Sequence, residues 1–151
     1  MKRFALTAAV AALAATIALP AAAQFQRPED AVKYRKSAFF VMGQHFGRLN
    51  AVAQGRVPYE PVSTTVNAEI VQLMSTLPWA GFVDGTDKGD TRALPKIWAE
   101  RAQFDAGAVK LREETTKLVA AAKSNNLDQL KAAVGAVGQT CKACHDNYRK
   151  D

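Results

Sequence analysis

Four segments whose apolar residues step by three and four constrain the fold more than anything else in the chain. In residues 28–54, Val32, Phe39, Phe46 and Ala53 recur every seven, and Arg35, Met42 and Leu49 form a companion seam. That is the pattern of a bundle helix with one inward face. Pro28 suits its first turn, Glu29 and Asp30 favour its start, and Gly55 ends it. Residues 61–77 carry Val62, Val66, Ile70, Leu73 and Leu77 as the expected buried face, with Pro78 as the stop. Residues 95–123 step without a break through Ile97, Arg101, Phe104, Ala108, Leu111, Thr115, Leu118 and Ala122. The last segment starts near Asn126, where Gln129 completes a capping-box pattern. It runs through Leu127, Leu130, Val134, Val137, Cys141, Cys144 and Tyr148. No alternating strand pattern of useful length interrupts them. The expected fold is all-α, an antiparallel up-down-up-down four-helix bundle. In that topology the end of the fourth helix lies beside the start of the first. Residues 78–94, with Gly81, Gly85 and Gly89, form a long connection whose Trp79 and Phe82 are expected against a core or cofactor edge.

The first 23 residues stand apart from this pattern. Lys2 and Arg3 precede an apolar run from Ala5 to Leu19, Pro20 breaks it, and Ala21-Ala22-Ala23 provides a small-residue cleavage pattern. This is the layout of a cleaved Sec signal peptide. The run is too short for a comfortable membrane span of about 20 residues, so no anchor is expected after cleavage. Residues 24–151 are then one exported domain, large enough for a real core. The formal charge of +6 falls to +4 without Lys2 and Arg3. That modest balance suits acidic partners. No basic stripe interleaved with aromatics suggests nucleic acid.

Cys141-Lys142-Ala143-Cys144-His145 carries the chemistry. On a helix, Cys141 and Cys144 share one face, so both thiols can form thioethers to the vinyl groups of one haem. His145 follows Cys141 by one turn and can meet the iron from the same side. The pattern predicts one haem c, covalent through Cys141 and Cys144, with His145 as iron ligand. Three other readings fit less well. A structural zinc site wants four ligands, and the only other histidine is His45. A thioredoxin-type pair wants a strand before it and a βαβ context. A disulfide between helical positions three apart is strained.

The opposite side of the iron must be supplied by the first segment, where Val32, Arg35, Phe39 and Met42 are the core positions. A Met42 thioether would give a low-spin, six-coordinate electron carrier. His45 is a second candidate, off the seam and one turn deeper. A core methionine is more often packing. Arg35 is a charge on a core seam, which either snorkels to solvent or meets a buried anion. Peroxidase-type catalysis would want a distal acid–base group, which Phe39 cannot offer, so no enzyme activity is expected.

Arg27-Pro28-Glu29-Asp30-Ala31-Val32-Lys33-Tyr34-Arg35, Leu77-Pro78-Trp79 and Cys141-Lys142-Ala143-Cys144-His145-Asp146-Asn147-Tyr148-Arg149-Lys150 together resemble cytochrome c′, in order along the whole chain after the leader. The resemblance implies a periplasmic protein with a high-spin, five-coordinate haem whose only protein axial ligand is His145. It implies that Phe39 occludes the distal side, so that only small diatomic gases such as nitric oxide and carbon monoxide enter. It further implies a haem-propionate partner in Arg35 and a proximal-pocket role for Arg149. A homodimer through the first two helices is implied too, with Phe40 and Val41 beside the seam as its sequence hint. Electron exchange with periplasmic donors or acceptors accompanies this reading.

Overall fold

A computed structural model describes residues 24–150 of the chain. The expected leader, residues 1–23, lies outside the described residues. Four long helices, α1 (Pro28–Ala53), α2 (Pro61–Met74), α4 (Arg101–Lys123) and α5 (Leu127–Tyr148), are joined by short turns and one long connection. That connection holds a 3-10 turn, Pro78–Gly81, and the one-turn helix α3 (Lys96–Ala99). Around the bundle, α1 packs on α2 and α5, and α4 packs on α2 and α5. Each helix thus has two neighbours, including its sequence neighbour, as an up-down bundle requires. Among the described residues the only β pairing is a single antiparallel bridge, Ala93 with Arg149.

The helix ends follow local chemistry. Pro28 and Pro61 open α1 and α2. Gly55, at φ +69°, closes α1: its N–H bonds Val52 O and that of Arg56 bonds Ala51 O, a Schellman motif that needs the left-handed region. The Asn126 side chain accepts from the amides of Asp128 and Gln129 at the start of α5, as an N-cap should.

The α1 and α5 faces match their periodicity. Val32, Arg35, Met42 and Leu49 are buried on α1, and Leu130, Val134 and Val137 on α5. Two expectations fail. On α2 the inward residues are Thr64, Ala68 and Val71, followed by fully buried Ser75, while Val62, Val66 and Leu73 point to solvent. Small inward residues let α2 sit close to α1 and α4, and the larger apolar stripe is left outside. The third segment is also broken. Glu100, at φ −116° and ψ 42°, separates α3 from α4. Arg101 leaves the core seam, pairing with Asp105 and donating to Phe82 O.

Two apolar clusters result. The larger runs along the bundle through Leu49, Val71, Leu118, Leu130 and Val137. The smaller, Phe82, Ile97 and Phe104, sits at the end where α5 finishes and α1 begins, with Phe39, Trp79, Cys144 and Tyr148 against it.

Candidate haem site

Between those clusters lies a cavity of about 1310 Å3. Its walls are Val32, Phe39 and Met42 from α1, Trp79 and Phe82 from the connection, Phe104 and Leu111 from α4, and Cys141, Cys144 and His145 from α5. The volume exceeds the roughly 300–1,000 Å3 of pockets for drug-sized ligands, and the mostly apolar wall suits a flat macrocycle. The meeting of α5's end with α1's start, expected from topology, builds this space.

Cys141 and Cys144 are both half-buried on the cavity wall and are not bonded to each other. Burial raises both thiols above their ordinary pKa, with Cys141 adding to the rise at Cys144. A redox-active Cys-x-x-C pair needs the opposite, a stabilised thiolate. The direction of both shifts does not favour thiol–disulfide exchange at this pair. His145 stands at the cavity mouth. Partial burial first, then the cations Arg149 and Arg92, lower its pKa against a smaller opposing effect of Asp146. The neutral imidazole, the metal-binding form, is thereby favoured.

Arg35 does not snorkel. It is 2% exposed, and its guanidinium bonds Gly81 O, Thr86 O, Thr86 Oγ1 and Thr91 Oγ1 at 2.6–2.8 Å. It also lies over the Phe82 ring, 4.4 Å from the centroid. Burial pulls its pKa down to about 10, so it stays charged at neutral pH. No carboxylate among the described residues pairs with it, and it lines the cavity. A buried cation of this kind calls for an anion, and a haem propionate is one.

The distal candidates separate in space. Phe39 lines the cavity with its ring edge-on to Trp79, 5.6 Å between centroids, and 6.3 Å from Phe82. Met42 also borders the cavity but is packed in the larger cluster with Leu49 and Val71. His45 is not on the cavity wall: its Nδ1 bonds Asn67 Oδ1 of α2 at 2.8 Å. Geometry removes it from the contenders for iron.

Arg149 reaches the site from just beyond the end of α5. α5 ends at Tyr148, and Arg149 is extended at φ −126° and ψ 137°. Its Nη1 still lies 3.4 Å from His145 Nδ1. Residues 92–94 pair with 148–150, and this arrangement brings Arg92 to the same wall. Sequence reading missed Arg92 because the pairing joins segments 58 residues apart with no strand pattern in either.

Comparison with known proteins bears on the same residues. The family model described as Cytochrome C′ matches residues 30–149. A cytochrome c′ from Alcaligenes xylosoxydans xylosoxydans is 48% identical over 127 residues, which span 84% of this chain and 98% of that one. The nitric oxide complex of a leucine-to-alanine variant of cytochrome c prime from Alcaligenes xylosoxidans superposes with a TM-score of 0.79 at 47% identity, covering 85% of this chain and 99% of the other. A carbon monoxide-bound leucine-to-glycine variant from that organism gives 0.80 at 46% identity, covering 85% and 100%. The cofactor of the matched family is haem c, and Cys141 and Cys144 are the two cysteines this chain has to hold it. With the bundle, the cavity and the matched residues in agreement, the chain belongs to the cytochrome c′ family.

Proposed function

We propose that the chain is a periplasmic cytochrome c′, exported by residues 1–23, whose five-coordinate, high-spin haem binds nitric oxide and carbon monoxide and exchanges electrons. The observation that carries this reading is the position of Phe39. A phenyl ring cannot ligate iron, and Phe39 on α1 lines the same cavity as His145 on α5, which supports its occluding the distal side. It is held there by Trp79 and Phe82. His145 on α5 would hold the iron, Arg35 would meet a propionate, and Arg149 would border the pocket beside His145. Bound haem supplies the iron for gas binding and one-electron chemistry. The gas complexes of the related variants support the same ligand class. No described helix is long and apolar enough to cross a membrane.

Absorption spectra of the oxidised and dithionite-reduced holoprotein, before and after nitric oxide, test the reading. A broad high-spin reduced spectrum that changes on gas addition is expected. A sharp low-spin spectrum indifferent to gas would assign Met42 to the iron and make the protein an electron carrier. Phe39→Ala should raise the carbon monoxide association rate. Each aromatic pair contributes about 0.5–1.5 kcal/mol, so removing both pairs lowers the displacement barrier by about 1–3 kcal/mol. At ~1.4 kcal/mol per decade, stopped-flow mixing should show an increase of roughly 5- to 140-fold.

The α2 stripe gives the dimer a surface. Val62 is 81% and Leu73 59% exposed, with Val66 between them, and Phe40 on α1 is 66% exposed. Such a patch marks an interaction site more often than bare surface. We assign it to a second copy of the chain. Sedimentation velocity should show a dimer that Val66→Lys with Leu73→Lys converts to monomer. A monomeric unsubstituted protein at tens of micromolar would refute the assignment.

A further inference from the structure

The carboxyl-terminal tail does not simply fray from α5. Leu94 N–H bonds Tyr148 O at 3.0 Å and Lys150 N–H bonds Arg92 O at 2.8 Å, with Ala93 and Arg149 bridged between them. Arg92 closes this clasp with its side chain: Nε and Nη2 both donate to Lys150 O, at 3.0 and 2.8 Å. Two donors on the Lys150 carbonyl fix the extended path at Arg149. From that path the Arg149 guanidinium returns to His145 Nδ1. Neither Arg92 nor Arg149 has a carboxylate partner among the described residues, and both line the cavity beside His145. The same segment is tied to α1, because Thr91 Oγ1 accepts from Arg35 Nη2 at 2.7 Å and from Ala93 N–H at 3.1 Å.

We propose that Arg92 is the positioning residue of the proximal wall: by gripping the Lys150 carbonyl it holds Arg149 against His145, and its own charge adds a second cation there. This inference rests on His145 being the iron ligand. Cations beside the iron disfavour the more positive oxidised state, so they raise the midpoint potential.

The test uses the holoprotein and two substitutions that separate grip from charge. Arg92→Gln should speed amide exchange at Leu94 and Lys150 by about tenfold, the loss expected for charge-assisted bonds of about 1.5 kcal/mol. Exchange at Leu130 in the core should not change. The midpoint potential should shift negative. Arg92→Lys keeps its own charge but loses the two-pronged grip, so exchange quickens and the potential shifts negative by less than in Arg92→Gln. Arg149→Gln should shift the potential less in the Arg92→Gln background than in the unsubstituted protein, because Arg149 has already lost its place. Unchanged exchange and potential in Arg92→Gln, or an equal Arg149→Gln shift in both backgrounds, would overturn the proposal. Failure of the His145 reading shows separately, as a spectrum of the unsubstituted protein unaffected by His145→Gly.

Discussion

Serine at both Cys141 and Cys144 should yield a chain whose haem is stripped by acidified organic solvent and whose bundle loses ordered packing at the α1–α5 end. Two thioethers are the covalent hold, and a hydroxyl cannot replace them. The structural consequence follows from the size of the site. A void left by a leucine-to-alanine change costs about 2–5 kcal/mol, and an engineered cavity of about 150 Å3 is already large. The cavity here is about 1310 Å3 and divides the apolar core into two clusters. Losing its filler exposes Val32, Phe39, Phe104 and Leu111 to water together. The loss should rival the whole stability of an ordinary domain, about 5–15 kcal/mol. The doubly substituted chain should therefore keep far-ultraviolet helical signal, lose near-ultraviolet dichroism and bind a hydrophobic dye, the marks of a molten globule. A single substitution leaves one thioether and a coloured protein. Native near-ultraviolet dichroism in the colourless double variant would show that the bundle does not depend on the group it holds.

What could be read from the sequence was what neighbours along the chain decide. The cysteine pair and His145 lie within one helical turn, and the α1 and α5 seams repeat over several turns, so local periodicity carries them. The inward face of α2 could not be read in this way. Val62, Val66 and Leu73 are its most apolar stripe, but Thr64, Ala68 and Ser75 are small enough to bring the helix close to its neighbours. Hydrophobicity alone ranks the faces in the wrong order when close approach decides. The break at Glu100 is equally non-local: the Tyr148 hydroxyl donates to its carboxylate at 3.2 Å, and Arg101 is drawn to Phe82 O. Arg92 was hidden for the same reason, since nothing near it in the chain hints at Lys150. Arg35 was visible as an anomaly, a charge on a core seam, but its partners lie 46 to 56 residues away.

Those partners make Arg35→Met the second large effect expected of a single change. The connection from Gly81 to Thr91 is folded around the Arg35 guanidinium, and α1 meets it backbone to side chain. A Cβ at Gly81 would stand 2.6 Å from Ala31 O and 2.9 Å from Arg35 Cβ, so no larger residue permits that approach. Methionine fills a similar volume and removes the charge, which relieves the burial of a cation. It also leaves Gly81 O and Thr86 O without the donors at 2.8 and 2.6 Å. Each orphaned buried acceptor costs about 1–3 kcal/mol, and the stacking over Phe82 contributes about 0.5–2 kcal/mol more. Thr86 Oγ1 keeps its own bond to Val83 O, and Thr91 Oγ1 keeps that from Ala93 N–H, so the two hydroxyls add little. The net loss should be about 3 kcal/mol, read as a lower urea midpoint at an unchanged slope. Arg35→Lys keeps the charge, but one ammonium cannot span oxygens that two guanidinium nitrogens now hold, so it should recover about half. If Arg35→Met unfolds within about 0.5 kcal/mol of the unsubstituted protein, an ordinary surface value, the connection is held by its aromatic residues instead. Trp79 and Phe82 would then be the ones to substitute.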